Sequence, residues 1–294
     1  MIKGIEAKLG ADPAPQDIEE IFKTIPARDG FDIPLRIHRP KAASNDSPLI
    51  VYYHFGGYCV GSSALAIPIC RQLVQRFSAV CVNVDYRLAP ENSFPTPIND
   101  CWDALQWVAA NATGLGANPA KGFIVGGESS GGNIAIVLTH LAKADNLSPP
   151  ITGQFLSLAS CLPPDTVPER YKPFYHSWEQ AENSPKLFGY AMTTMFREAH
   201  NPDMNSPLFG AFNDPKGHAG MPPAYFQVCG LDPVRDEALV YEKVLREEYG
   251  IDTKVDVCAG LPHAFWQVYP AFEKGKDAIE DMMNGFKWLL QQKS

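Results

Sequence analysis

The sequence predicts an α/β fold, a mostly parallel central sheet with helices on both faces and a helical lid. Three observations carry that expectation. Short apolar runs, among them Leu49-Ile50-Val51-Tyr52-Tyr53 and Ala224-Tyr225-Phe226-Gln227-Val228-Cys229, have the length and continuity of strands buried on both faces. Stretches with apolar residues at helical spacing lie between such runs, and this alternation favours parallel crossovers. Between about 163 and 222 the alternation gives way to a segment rich in proline and aromatic residues, which reads as an inserted lid.

Taken in order, residues 15–25 place Ile18, Ile21, Phe22 and Ile25 at helical spacing, with Asp17 as cap and Pro26 as stop, and predict a short amphipathic helix. Residues 31–38 alternate roughly as an antiparallel strand does, and 41–47 read as a polar loop. After the strand 49–53 comes His54-Phe55-Gly56-Gly57-Tyr58, whose glycines either let backbone N–H groups approach a ligand or simply make a tight turn. A helix over 64–77 and a buried strand over 79–84 lead into Asp85-Tyr86-Arg87-Leu88-Ala89-Pro90-Glu91, whose opposite charges suggest a self-paired brace. Residues 97–112 form a helix opened by proline, with Trp102, Leu105, Trp107 and Val108 available for packing.

A strand at 122–125, the turn Gly126-Gly127-Glu128-Ser129-Ser130-Gly131-Gly132 and a helix at 133–143 follow, then a strand at 153–158. The lid segment holds Tyr171, Phe174, Tyr175, Trp178, Phe188, Tyr190, Met192, Met195 and Phe196. Each singly is most simply explained by packing against the body, but the set suits an apolar substrate pocket. Beyond it the sequence predicts a strand at 224–229, a helix at 235–249 with Leu239, Val240 and Val244 inward, a strand at 253–258 and a closing helix at 271–291.

At 294 residues the chain is expected to be one domain, 1–294, with a lid built from about 1–26 and about 163–222. A net charge of -8 without a basic stripe opposes phosphate backbones, so nucleic acid is not an expected partner. The opening residues lack the apolar core of a signal peptide and no run approaches bilayer-spanning length, so a cytoplasmic protein without stable membrane insertion is expected. The seven cysteines are odd in number, and Cys81, Cys229 and Cys258 lie in or beside strand-like runs as small hydrophobes do. Neither disulfides nor a metal site are expected.

In open α/β sheets ligands bind beyond the carboxyl ends of strands, where Ser129, Asp232 and His263 all fall. Gly127-x-Ser129-x-Gly131 fits a strained strand-to-helix turn that presents a serine. Serine needs a base to take its proton, for which His263 is the candidate, and that base needs a carboxylate to hold it. Asp232 suits the carboxylate role; its rival Asp236 falls inside the next helix, where capping or pairing is expected. The N–H groups of Gly56, Gly57 and Ser130 are the expected donors to a developing oxyanion.

These segments resemble those of the hormone-sensitive-lipase-like family of α/β-hydrolases. His54-Phe55-Gly56-Gly57 is similar to its His-Gly-Gly-Gly oxyanion motif, and Asp85-Tyr86-Arg87-Leu88-Ala89-Pro90-Glu91 matches the family's segment. The serine turn resembles its Gly-Asp-Ser-Ala-Gly-Gly elbow, and Asp232-Pro233-Val234-Arg235-Asp236-Glu237 and His263-Ala264-Phe265 resemble its acid and histidine segments. The resemblance implies an α/β-hydrolase fold and a carboxylic ester hydrolase with a lid. Phe55 stands where the motif has its first glycine and Glu128 where it has aspartate. Phe55 is expected to narrow the cleft while sparing both donor glycines, and Glu128 to alter pairing near His263 or to do the same structural work with a longer arm.

The leading expectation is hydrolysis of a small or medium apolar ester through an acyl-serine, without cofactor. Elimination or cyclisation by the same machinery is an alternative. So is a ligand receptor, as in a plant branch of the family that loses the histidine, although His263 stands here. Lactone, thioester and amide substrates, and a homodimer, are left open.

Overall fold

In the computed structural model, which describes residues 2–42, 46–182 and 189–292, the apolar runs pair into an eight-stranded sheet. Its strands are β1 (Ile18–Pro26), β2 (Asp32–Pro40), β3 (Leu49–Tyr53), β4 (Val80–Val84), β5 (Phe123–Glu128), β6 (Gly153–Ser157), β7 (Ala224–Cys229) and β8 (Thr253–Cys258), in spatial order β1-β2-β4-β3-β5-β6-β7-β8. The β1–β2 and β2–β4 pairs are antiparallel and the other five are parallel. Side chains alternate between faces along a strand, and the core divides accordingly. Leu49, Val51, Tyr53, Phe123 and Val125 join one cluster with helices α3 (Thr96–Asn111), α4 (Ser130–Ala144) and α7 (Arg235–Tyr249). Ile50, Tyr52, Ile124 and Phe155 join the other with α2 (Ile67–Phe77) and α9 (Glu273–Gln291).

Residues 15–25 do not form the expected helix. Residues 18–26 are strand β1, with Ile25 opposite Ile33 and Ile21 opposite Ile37. Ile18 packs in one core cluster and Ile25 in the other, so this strand buries residues on both faces. Seven positions of separation then mimic two helical turns, while the β-branched content and the Asp29-Gly30 hairpin favour the strand. Gly30 sits at φ +86° and the Phe31 N–H donates to the Asp29 carboxylate at 3.1 Å, closing the turn. The helix that precedes the sheet is instead α1 (Ile2–Ala11).

The segment 85–91 is not paired with itself. Arg87 grips Asp100 with two bonds, at 2.7 and 2.9 Å, and reaches Asp29 at 2.8 Å. Asp85 accepts from the hydroxyl of Ser63 at 2.7 Å and from its N–H. The charges fasten the loop after β4 to three other segments.

Part of the polar loop expected at 41–47 lies outside the described residues. Between β6 and β7 the described chain forms α5 (Ser177–Glu182), the three-turn helix α6 (Tyr190–His200) and, on either side of them, shorter 3-10 turns. The remaining short helix, α8 (Phe265–Val268), follows β8. Among the described residues no helix is long and apolar enough to cross a membrane.

Candidate active site

The carboxyl ends of β3, β5, β7 and β8 deliver the side chains of the site. At the end of β5, Ser129 has φ +56° and ψ -118°, a conformation costly for a residue with a Cβ. The Ser129 N–H donates to the Ser157 carbonyl at 2.8 Å, holding it there. A Cβ on Gly131 would lie 2.1 Å from the Tyr53 carbonyl oxygen, and one on Gly127 would lie 2.5 Å from the same atom. The turn therefore exists only because both positions are glycine.

Ser129 Oγ donates to His263 Nε2 at 3.0 Å, and His263 Nδ1 donates to the Asp232 carboxylate at 2.6 Å. The second Asp232 oxygen accepts from the Val234 N–H at 3.0 Å, and the residue is 1% exposed. The Leu231 N–H donates to the Leu261 carbonyl at 3.0 Å, tying the acid loop to the histidine loop. Burial is the largest influence on the imidazole and opposes its charge. The charge and hydrogen bond of Asp232, helped by the charge of Glu128, outweigh it and hold His263 above its ordinary value.

After β3 the loop doubles back, with Gly56 at φ +133° and its carbonyl accepting from the N–H groups of Cys59 and Val60. A Cβ on Gly56 would sit 1.8 Å from the Val60 carbonyl oxygen, and one on Gly57 would sit 2.3 Å from the Phe196 ring. Gly56, Gly57 and Ser130, whose backbone opens α4, line the same cleft as Ser129 and His263. The cleft encloses about 810 Å³ including the space at its mouth.

Glu128 is buried and caged by donors: the Tyr52 hydroxyl at 2.9 Å, Trp266 Nε1 at 2.8 Å and the Gln267 amide at 3.1 Å. Burial raises its carboxyl above the ordinary range against the pull of those three bonds. Asp236 belongs to another task, accepting from the N–H groups of His176 and Ser177 at the start of α5 and pairing with Arg235.

Of the expected lid aromatics and methionines, Met192 and Phe196 reach the cleft. Tyr171 bonds Glu248, Tyr175 bonds the Leu162 carbonyl, and Trp178 donates to Glu237 and packs on Tyr190. Phe174 and Met195 are each 52% exposed, and Phe188 lies outside the described residues. Phe55 does line the cleft, together with residues that the sequence reading did not single out for it: Ile2, Val60, Asn133, Arg197, His200 and Phe209. Buried Glu237 was also missed. One oxygen accepts from Ser160 Oγ and from the N–H groups of Cys161 and Leu162; the other accepts from Trp178 and lies 3.6 Å from Arg197. An asparagine in the first turn of the otherwise apolar helix α4 is the one signal that could have flagged Asn133.

A serine, a histidine and a buried carboxylate bonded in series beneath a glycine loop define a serine hydrolase built on an α/β sheet. The α/β hydrolase fold family model matches residues 50–267, and the chain belongs to that family, in its hormone-sensitive-lipase-like group. Versiconal hemiacetal acetate esterase of Dothistroma septosporum is 33% identical over 284 residues, covering 95% of this chain and 84% of that protein. Carboxylesterase NlhH of Mycobacterium tuberculosis is 33% identical over 223 residues, covering 74% of this chain and 66% of that protein. The crystal structure of vibralactone cyclase superposes with a TM-score of 0.90 at 31% identity, covering 98% of this chain and 85% of that one. The protein is an esterase-like hydrolase of the carboxylesterase class.

Proposed function

We propose that this protein hydrolyses small to medium apolar carboxylic esters through an acyl-Ser129 intermediate, without a cofactor. The observation that carries the reading is the unbroken bond series Ser129–His263–Asp232 opening into the same cleft as Gly56, Gly57 and Ser130.

In this mechanism His263 Nε2 takes the Ser129 proton as Oγ attacks the ester carbonyl, and Asp232 keeps the Nδ1–H tautomer and offsets the imidazolium charge. The N–H groups of Gly56, Gly57 and Ser130 receive the oxyanion, each such donor contributing about 3 kcal/mol. His263 then returns the proton to the leaving alcohol. A water deprotonated by the same nitrogen attacks the acyl-enzyme and frees the acid. Phe55, Val60, Met192, Phe196 and Phe209 give the cleft an apolar lining, which supports esters with apolar acyl groups. In this reading α1, through Ile2, and the segment 163–222 serve as the lid.

Ser129→Ala should abolish hydrolysis of p-nitrophenyl butyrate and labelling by a fluorophosphonate, with the circular dichroism spectrum unchanged; turnover that survives the substitution sinks the assignment.

The likeness to vibralactone cyclase supports a second reading, in which the acyl acceptor is a hydroxyl of the substrate itself: it gives its proton to His263, attacks the acyl-serine and closes to a lactone as Ser129 Oγ leaves and takes that proton back. Product analysis on a hydroxyacyl ester separates the two, since hydrolysis yields the free acid and cyclisation yields the lactone.

A further inference from the structure

Outside the triad and the oxyanion loop, the cleft wall carries several polar side chains, and nearly all are occupied. The Asn133 amide donates to the carbonyls of Ser160 at 2.6 Å and Phe209 at 2.8 Å and accepts from the Tyr58 hydroxyl. Ser160 donates to Glu237, Thr193 donates to the Gly189 carbonyl, and Arg197 lies against Glu237 with its guanidinium 4.5 Å over the Trp178 ring. His200 differs. It lines the cleft at 0% exposure, yet neither Nδ1 nor Nε2 has a hydrogen-bond partner among the described residues.

The ring is nevertheless fixed. His200 ends α6, its carbonyl accepts from the Phe94 N–H at 3.0 Å, and its ring stacks on Tyr58 with centroids 4.0 Å apart and planes 7° from parallel. Phe94 stands edge-on at 5.8 Å and Phe209 is tilted at 6.0 Å. A phenyl ring would fill this aromatic box without stranding a polar atom, so packing does not account for an imidazole. Buried polar atoms in native structures are nearly always paired, and an unpaired one needs a reason. Burial pushes the imidazole down to about 4, so near neutral pH the ring offers one N–H donor and one lone pair.

We propose that His200 is a specificity-determining residue: once an entering substrate displaces the cleft side chains that now seal the ring, its nitrogens hydrogen-bond a hydroxyl carried by the substrate away from the ester being cleaved. The favoured substrates are then hydroxylated esters with an otherwise apolar body, rather than plain apolar esters. This rests on the ester hydrolase reading above. A hydroxyl matches the site because, like neutral imidazole, it can both donate and accept. An analogue lacking it would bury the histidine unpaired.

The test uses two matched pairs: p-nitrophenyl butyrate against p-nitrophenyl 3-hydroxybutyrate, and phenyl butyrate against 3-hydroxyphenyl butyrate. The native protein should prefer the hydroxylated member of at least one pair by about tenfold or more in kcat/KM, chiefly through KM. In His200→Phe, which keeps the stack on Tyr58, that ratio should collapse towards one, and in His200→Gln, which keeps a donor and an acceptor, it should partly survive. Should the phenylalanine variant fail to fold by thermal melt, His200→Leu gives the same reading of the ratio. A ratio that stays put when the imidazole is removed, or no preference in either pair, overturns the inference while leaving the hydrolase reading intact. A native protein that cleaves none of the four esters overturns both.

Discussion

Glu128 precedes Ser129 and its carboxylate holds three neighbours, so Glu128→Ala tests whether that cage supports the serine turn. The substitution strands the Tyr52 hydroxyl, the Trp266 N–H and the Gln267 amide, all of which now donate to the carboxylate. Each stranded buried donor costs about 1–3 kcal/mol, and losing a buried charge returns several kcal/mol of desolvation. A net loss of about 2–4 kcal/mol is expected from these opposing contributions. Glu128→Gln should lose less than half of that. Its remaining oxygen can face Trp266, which only donates, while the Tyr52 hydroxyl and the Gln267 amide can turn to accept from the new NH2. Urea unfolding followed by tryptophan fluorescence measures both variants. An alanine variant as stable as the native protein, or a glutamine variant as damaged as the alanine one, refutes the cage argument.

The same pair has a pH signature. Because burial holds the Glu128 carboxyl above its ordinary 4.5, the native state keeps this proton longer than the unfolded chain. That contribution to stability is present below 4.5 and is lost as pH rises through the folded value. The stability gap between native protein and Glu128→Gln should therefore narrow as pH rises through that window. On the kinetic side His263 must be neutral to accept the Ser129 proton, so kcat/KM falls as pH drops through the His263 value, held above 6.5. Removing the Glu128 charge removes part of what holds it there, and the acid limb of Glu128→Gln should move to lower pH.

Two further expectations concern the donors and the acid. Gly57→Ala places a Cβ 2.3 Å from the Phe196 ring at φ +59°, so the loop must shift; losing one oxyanion donor costs about 100- to 1,000-fold in kcat. Steady-state rates on p-nitrophenyl butyrate check this, and an unchanged kcat would remove Gly57 from the oxyanion site. Asp232→Asn should lower kcat by about 10,000-fold. Asp236→Ala should instead cost about 1–2 kcal/mol of stability as the α5 cap is lost, with kcat within a few-fold of native; the reverse pattern would exchange the two acids.

The parts of the fold and site that could be read from the chain are those whose cause is local. Ser129 and Asp232 follow strands that are mostly apolar, and His263 follows β8, where Val255 and Val257 alternate with Lys254 and Asp256; such strands and their crossover helices mark the sheet's carboxyl edge without tertiary knowledge. β1 was misread because a strand buried on both faces can place isoleucines seven apart, which helical periodicity also does. The cleft wall was legible only in part, for a different reason. Tyr171, Tyr175 and Trp178 turn away because acceptors at Glu248, Leu162 and Glu237 hold them, and those of Tyr171 and Trp178 lie far along the chain. His200, Phe209 and Ile2 come to the cleft from three separate elements, and nothing in their flanking residues signals that convergence.

The carboxylate of Glu237 joins two walls of the cleft, holding residues 160–162 with one oxygen and the α5 and α6 side chains Trp178 and Arg197 with the other. Swinging α5 and α6 away from the body together would break this anchor, at about 3–5 kcal/mol for a buried charge losing its partners. Fewer than about one molecule in a hundred would be found in such an opened form at equilibrium. Bulky acyl groups must then be fitted by repacking side chains within a nearly fixed frame. Mutant libraries meant to widen the range of esters are better directed at Phe55 and Met192 than at the connections flanking α5 and α6.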